Sequence, residues 1–131
     1  MIQPREFIES FRTTWEHVYE SPGDVTLLVP FFHIPCTIVG ADGSVACLSD
    51  GAEVQKFLQA RMNSFLEGGT VSARVWGIDV HTMADYSCLL MVNWELRRAD
   101  QSIERAYRIC YNLIRVSDDW KILLSTYQGG S

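Results

Sequence analysis

The sequence has no long apolar run and no excess of basic residues. Nowhere does it approach the roughly 20 consecutive apolar residues that a membrane-spanning helix needs. It carries 11 lysines and arginines against 16 aspartates and glutamates, which gives a formal net charge of −5. Binding through nucleic-acid phosphates needs clustered positive charge. We therefore expect no membrane partner and no nucleic-acid partner.

Paired metal-ligand spacings are also missing. The four cysteines (Cys36, Cys47, Cys88 and Cys110) form no C-x-x-C pair, and the three histidines lack zinc-finger spacing, so we expect no metal and no cofactor. An even cysteine count also permits two disulfides. Because residues 1–6 lack the basic and apolar regions of a secretory signal, we expect a cytoplasmic protein with reduced, mostly buried thiols.

The composition is that of one globular domain. The chain has 131 residues, of which 47% are hydrophobic and 21% charged. It contains no internal repeat, no linker and no low-complexity segment. We expect a single domain over residues 1–131, large enough to bury its own core.

Two apolar stripes with helical spacing lie in the first half of the chain. The first predicts a helix from Pro4 to about Glu20, and the second a helix after Asp50 that ends at Gly68-Gly69. Glu53, three residues after Asp50, resembles the partner in a capping box. The stripe residues are Phe7, Ile8, Phe11, Trp15, Val18 and Tyr19 in the first helix and Val54, Phe57, Leu58, Met62, Phe65 and Leu66 in the second.

Shorter elements lie between these helices. Asp24 is placed to cap a short helix over residues 25–28, which Pro30 must end or kink. Residues 35–39 and 45–48 read as two strands joined by a tight hairpin at Asp42-Gly43.

From Thr70 onward the apolar period changes from 3.6 to 2. The pattern predicts strands over about 70–82, 85–98, 102–117 and 120–127, separated by short polar turns. Helices followed by an antiparallel meander are typical of an α+β fold with the helices on one face of the sheet.

The alternation also predicts how the last strands pair. One face of the second long strand is apolar throughout, and we expect the helices to pack on it, with Ile122, Leu124 and Thr126 sharing that face. The register of the first long strand stays open, so the faces of Arg74, Trp76, Asp79 and His81 are not determined. A turn at Asp100-Gln101 gives these opposed pairs: Leu90 and Tyr111, Val92 and Ile109, Trp94 and Tyr107, Asn93 and Arg108, Glu95 and Ala106, Arg97 and Glu104.

With these elements in order, the chain resembles the NTF2-like superfamily, which includes SnoaL-like and ketosteroid-isomerase-like proteins. The resemblance rests on Phe11-x-x-x-Trp15, on residues 34–39 leading into Asp42-Gly43, and on the closing segment 111–122. It implies a cystatin-like cone, in which a strongly curved antiparallel sheet wraps around the first helix. It also implies an apolar pocket in the cone and, commonly, a homodimer. These motifs are architectural, so the reaction stays open.

The candidate site is a cavity between the first helix and the sheet. Inward aromatic residues there either pack as plain core or orient a polar group of a small apolar or aromatic ligand. The residues that we expect to line it are Trp15, Tyr19, Phe32, His33, Trp94, Tyr107 and Tyr111.

Two functions remain open at this point. The first is a small-molecule-binding protein without chemistry of its own. The alternative is an isomerase, dehydratase or cyclase in which His33 and the pocket tyrosines act as acid–base groups. His33 is equally explained as a half-buried histidine bonded to a loop carbonyl. No inward aspartate appears on the strands with a predicted register, so the ketosteroid isomerase residues are not carried over.

Two further groups have both a functional and a plain interpretation. Asp79 and His81 share one strand face. They form either an oriented base or two metal ligands, or they simply mark an exposed strand end. Arg105 either binds an anionic ligand or extends into solvent at the sheet edge.

The outer sheet face has enough apolar content to predict a homodimer. Its apolar members are Leu89, Met91, Ala106, Cys110 and Ile114. The polar groups expected around them, as a lattice of cross-strand ion pairs, are Asn93, Glu95, Arg97, Glu104 and Arg108.

Overall fold

The structure, a computed structural model, describes residues 2–130. Two long helices, a 3₁₀ segment and six strands follow one another along the chain. They are α1 (Pro4–Glu20), the 3₁₀ segment (Pro22–Phe31), β1 (Phe32–Val39), β2 (Val45–Leu48), α2 (Gly51–Glu67), β3 (Thr70–Ala84), β4 (Ser87–Arg98), β5 (Ile103–Val116) and β6 (Asp119–Gly130).

Both long helices form where the apolar stripes predict them. Pro4 occupies the first turn of α1, and the Glu6 carboxylate accepts a hydrogen bond from the Gln3 backbone N–H at 3.1 Å. In α2, the Asp50 carboxylate accepts from the Glu53 N–H at 2.9 Å, as expected of an N-cap. The left-handed residue after α2 is Gly69, with φ of +87°.

The segment between α1 and β1 differs from its prediction. A 3₁₀ segment covers Pro22–Phe31 and ends one residue after Pro30, close to the point where the proline is expected to end it. Asp24 interrupts the segment with non-helical φ and ψ angles, and its Oδ2 lies 3.3 Å from His17 Nε2 instead of accepting from a backbone N–H as a capping carboxylate does. A 3₁₀ turn uses i→i+3 bonds, so a proline can sit where an α-helix would not accept it.

The six strands form one curled, unclosed sheet in the order β2-β1-β6-β5-β4-β3. All neighbouring strands are antiparallel except β1 and β6, which run parallel. The sheet is therefore mixed: the meander of β3 to β6 is antiparallel, as predicted, and β1 joins it as a parallel neighbour of β6. The parallel pair arises because the chain passes through β2, α2 and the meander before β6 returns beside β1.

The predicted register of β4 and β5 is confirmed from Leu90–Tyr111 to Glu95–Ala106, and it fails at one end. Arg97 lies opposite Ile103, because Glu104 is an extra residue in a β-bulge. Glu104 thereby leaves the expected ion-pair lattice, and its carboxylate contacts Arg105 at 3.1 Å.

A second bulge changes the faces of β6. Asn112 pairs with Leu124 and Leu113 with Ile122, so Leu123 is the extra residue. Beyond it, Ser125 lies opposite Tyr111 and faces the helices, together with Tyr127. The expectation that Leu124 and Thr126 face the helices is therefore wrong, since one inserted residue exchanges the two faces.

The faces of β3 are also determined. Arg74, Trp76, Asp79 and His81 pair with residues of the outer face of β4 and share that face. An extra residue in a bulge at Gly77, whose φ of +59° suits a residue without a Cβ, exchanges the parity of the strand, so the even positions 74 and 76 share a face with the odd positions 79 and 81.

The core lies between the inner face of this sheet and the helices. All four cysteines are free thiols, of which Cys36 and Cys88 are buried while Cys47 is exposed. Within residues 2–130, neither long helix is sufficiently apolar along its length to span a bilayer.

Candidate functional site

A cavity lies between α1, α2 and the inner face of the sheet. Aromatic side chains dominate its wall, and they come from both helices and from four strands. The wall residues are Phe11, Trp15, Tyr19, Phe32, Ile38, Phe57, Leu58, Arg61, Phe65, Trp94, Tyr107, Ile109, Tyr111, Ser125 and Tyr127.

Little of this cavity is empty. The free volume is about 30 Å³, which accommodates one or two water molecules. Pockets that hold drug-sized ligands have on the order of 300–1,000 Å³. A ligand therefore enters only if a side chain of the wall moves.

The deep part of the wall is held by aromatic contacts and one buried hydrogen bond. The Trp94 Nε1–H donates to the Tyr111 hydroxyl at 2.9 Å. The Phe11 ring meets both of these side chains edge-on, with centroid distances of 6.1 and 6.3 Å. Edge-to-face geometry stabilises such pairs beyond the area that they bury. The α1 side of the cavity is thereby fixed to β4 and β5.

Four tyrosines bring hydroxyl groups into the cavity. Burial raises the pKa of Tyr19, Tyr107, Tyr111 and Tyr127, because a phenolate is poorly solvated there. These groups therefore stay protonated at neutral pH. They act as neutral hydrogen-bond donors and acceptors, and not as bases.

One cationic side chain belongs to the wall. Arg61 lies on α2, four residues after Phe57 and four before Phe65, so all three share a helix face. Its guanidinium carbon lies 5.2 Å from the Phe65 ring centroid and 4.7 Å from that of Tyr127. Both distances are within the range of cation–π attraction.

The open side of the cavity is formed by four half-exposed wall residues: Phe57, Arg61, Tyr107 and Tyr127. We call this set the mouth. The Tyr107 and Tyr127 rings contact each other there at a centroid distance of 5.7 Å. The deeper aromatic residues, such as Trp15 and Trp94, are buried. Arg61 has the longest and most flexible side chain of the mouth.

Six of the seven expected site residues line this cavity: Trp15, Tyr19, Phe32, Trp94, Tyr107 and Tyr111. His33 does not. It lies in an open groove with Pro30 and Lys121, and its ring Nδ1–H donates to the Pro35 carbonyl at 2.8 Å. On β1, His33 follows the inward Phe32, so its side chain points to the other face. His33 is half-buried and bonded to a backbone carbonyl, as its plain interpretation has it, but the carbonyl lies within β1 and not in a loop; the pocket interpretation does not match this geometry.

The remaining candidates lie away from the cavity or are already paired. Asp79 contacts Arg108 at 3.2 Å on the outer face, where His81 is also exposed. Arg105 reaches Ser64 and Glu104, both at 3.1 Å. Within residues 2–130, no group of three or more histidine, cysteine, aspartate or glutamate side chains is close enough to hold a metal ion.

Sequence reasoning missed Arg61, Ser125 and Tyr127. The signal for Arg61 was available, since a charged residue interrupts the apolar stripe between Phe57 and Phe65. The other two were assigned to the outer face because the bulge at Leu123 leaves no trace in the alternation.

The fold and the cavity together define a cone-shaped NTF2-like protein. A family model described as NTF2-like protein (DUF6841) matches residues 4–129, and the chain belongs to this family. No curated protein matches its sequence.

Solved structures support the same fold. An NTF-2-like protein of unknown function from Shewanella oneidensis MR-1 is similar with a TM-score of 0.67 at 12% identity, over 95% of this chain and 98% of its own. A protein of unknown function with a cystatin-like fold, from Nostoc punctiforme PCC 73102, has a TM-score of 0.71 at 9% identity, over 94% of this chain and 88% of its own. A scytalone dehydratase-like protein from Novosphingobium aromaticivorans DSM 12444 has a TM-score of 0.64 at 13% identity, over 97% of this chain and 83% of its own. At these identities the likeness shows the fold alone.

Proposed function

We propose that the protein binds a small aromatic molecule, about the size of one ring, in the cavity of the cone. The observation that carries this proposal is the composition of the wall. Tyrosine hydroxyls, Ser125 and Arg61 converge on one cavity that is otherwise apolar. Apolar walls with a few convergent polar groups are typical of ligand pockets.

Movement of Arg61 supplies the space that the closed cavity lacks. The stem and guanidinium of Arg61 occupy the mouth, and the side chain is half-exposed. Rotation into solvent costs its two ring contacts, which are worth about 0.5–2 kcal/mol each. An apolar cavity of about 150 Å³ is enough to bind benzene. A single ring is therefore the appropriate size of ligand.

The alternative, an acid–base enzyme, needs a group in the cavity that exchanges a proton near neutral pH. Among the residues that the structure describes, the wall includes no histidine, aspartate or glutamate. The tyrosines have raised pKa values and His33 lies elsewhere. The geometry therefore favours binding over this kind of chemistry.

The binding proposal is tested by an NMR chemical-shift titration with p-cresol, a neutral single-ring probe. We expect saturable shifts for the wild-type protein. Ser125→Val places two methyl groups in the small free volume and should weaken binding about tenfold or more. Thr126→Val makes a similar change one residue away on the outer face, and should bind p-cresol like the wild type. Absence of saturable shifts in the wild type would refute the proposal.

We further propose that two copies associate through the outer sheet face. Trp76 is 48% exposed there, beside Met91, Cys110 and the exposed Ala106. Two ion pairs lie on the face, Glu95 with Arg97 and Asp79 with Arg108. A face that is partly apolar and carries side chains of both charge signs suits contact with its own copy around a two-fold axis.

Sedimentation at micromolar concentration tests this association. The wild type should sediment with twice the mass of one chain, and Met91→Asp or Ile114→Asp should shift it to the monomer without loss of folding. Val45→Asp is the matched control, since Val45 is exposed on β2, at the opposite edge of the sheet. A monomeric wild type would refute the proposal.

A further inference from the structure

Arg61 differs from the other arginines near the cavity in its electrostatic partners. Arg12 forms an ion pair with Glu16, and Arg105 forms one with Glu104. No aspartate or glutamate within residues 2–130 forms an ion pair with Arg61. A half-buried guanidinium without a carboxylate partner is suited to bind an anion from outside the chain.

The contacts of Arg61 also leave the right atoms available. The centroids of the Phe65 and Tyr127 rings lie 5.2 and 4.7 Å from the central carbon of the guanidinium, and the Tyr127 hydroxyl also accepts a hydrogen bond from Arg61, which leaves the other N–H donors free. Contacts of this kind involve the plane of the guanidinium, and its N–H donors lie around the edge of that plane. A carboxylate binds a guanidinium along this edge through two parallel hydrogen bonds.

The positive charge of Arg61 reaches the interior of the cavity. Burial raises the pKa of all four wall tyrosines, and the charge of Arg61 acts in the opposite direction on each of them. The described wall has no carboxylate that would repel an anion. Beside Tyr107, Tyr111 and Tyr127 it therefore presents positive charge and neutral O–H groups to a ligand, whereas at Tyr19 the carboxylates of Glu16 and Glu104 oppose the charge of Arg61.

From this arrangement we propose that the ligand is a small aromatic carboxylate, with its ring in the cavity and its carboxylate on Arg61 at the mouth. The inference rests on the proposed function and adds the charged group of the ligand. Displacing Arg61 from the mouth and binding the carboxylate are then one movement, because the guanidinium leaves the rings of Phe65 and Tyr127 to meet the anion.

Benzoate and benzamide form the matched probe pair, because they have the same shape and differ in charge. We expect benzoate to bind about ten- to a hundredfold more tightly than benzamide in NMR titrations at neutral pH, as charge-assisted hydrogen bonds imply. Arg61→Gln should remove this preference, and Arg61→Lys should retain part of it. Arg74→Gln removes the same charge from the exposed outer face and should leave the preference unchanged.

The possible outcomes separate this inference from the proposed function. If benzamide binds as tightly as benzoate, or if Arg61→Gln keeps the preference, the role of Arg61 is refuted while the binding of aromatic rings stands. If neither probe nor p-cresol binds the wild-type protein, both proposals are refuted. Thermal unfolding of each variant shows whether a loss of binding reflects a loss of folding.

Discussion

The hydrogen bond between Trp94 and Tyr111 fixes the deep end of the cavity. Both side chains are buried, and the Trp94 indole N–H has the Tyr111 hydroxyl 2.9 Å away. A tryptophan N–H only donates, so loss of this acceptor leaves a buried polar group without a partner. The pair therefore contributes to stability as well as to the shape of the cavity.

Tyr111→Phe should lower the free energy of unfolding by about 1–3 kcal/mol, because it leaves the buried Trp94 N–H without a hydrogen-bond acceptor. Urea denaturation measures the change. Tyr86→Phe removes a hydroxyl from a side chain that is 60% exposed, and should change the stability by less than about 0.5 kcal/mol. Equal effects of the two substitutions would show that the buried bond contributes nothing.

At the level of the elements, α1 protects the free edge of the sheet. β3 is an edge strand, so some of its backbone groups have no neighbouring strand. The Glu16 carboxylate accepts from the Ala73 N–H at 2.9 Å, and Arg12 donates to the Ala73 carbonyl at 3.2 Å. Arg12 and Glu16 also pair with each other at 2.6 Å. Two helical side chains thereby replace the missing strand at Ala73.

Glu16→Ala should destabilise the protein by about 1–3 kcal/mol and speed hydrogen exchange at the Ala73 amide, since that amide loses its acceptor. Glu9→Ala is the matched control. Glu9 also pairs with Arg12, at 3.0 Å, but it makes no hydrogen bond to β3, so its loss should cost less than about 0.5 kcal/mol. Unchanged exchange at Ala73 in Glu16→Ala would contradict this role of α1.

The helices and the pairing of β4 with β5 were predictable because their signals are local and repeated. Apolar spacing marks both helices, and apolar pairs such as Trp94 and Tyr107 set the register over many residues. Bulges lack such a signal. One extra residue at Glu104 or Leu123 moves every later side chain to the other face, and tertiary packing decides where that residue lies.

The candidate site was predictable to the same extent. Trp94, Tyr107 and Tyr111 lie on strands whose register the sequence supplies, and the structure places all three in the cavity wall. His33 was misplaced because it adjoins Phe32, and neighbouring residues of a strand point to opposite faces. Tyr127 lies beyond the Leu123 bulge, so the alternation assigned it to the wrong face.

At the scale of the whole molecule, several buried thiol and tyrosine hydroxyl groups lose their protons only at alkaline pH. Burial raises the pKa of the Cys36 thiol from 9.0 to about 11, and burial also raises the pKa of the tyrosines in the cavity. Folded and unfolded chains both hold these protons at neutral pH. As the pH rises past the ordinary values, the unfolded chain loses its protons first, and the free energy of unfolding falls.

Urea denaturation should therefore show constant stability from these groups up to about pH 8.5 and a progressive loss as the pH approaches about 11. The absorbance of tyrosinate should rise for the buried tyrosines together with unfolding, and not before it. Full ionisation of all tyrosines in a protein that is still folded would contradict their burial.

Binding of an aromatic ligand, as proposed, requires that the cavity opens at Arg61 and admits one ring. A crystal structure of the protein with p-cresol at saturating concentration tests it most directly. We predict the ring inside the wall formed by Trp94, Tyr107 and Tyr111, with the Arg61 guanidinium moved away from Phe65 and a cavity clearly larger than about 30 Å³. A cavity that stays closed, with p-cresol absent or bound only on the outer surface, would contradict the claim.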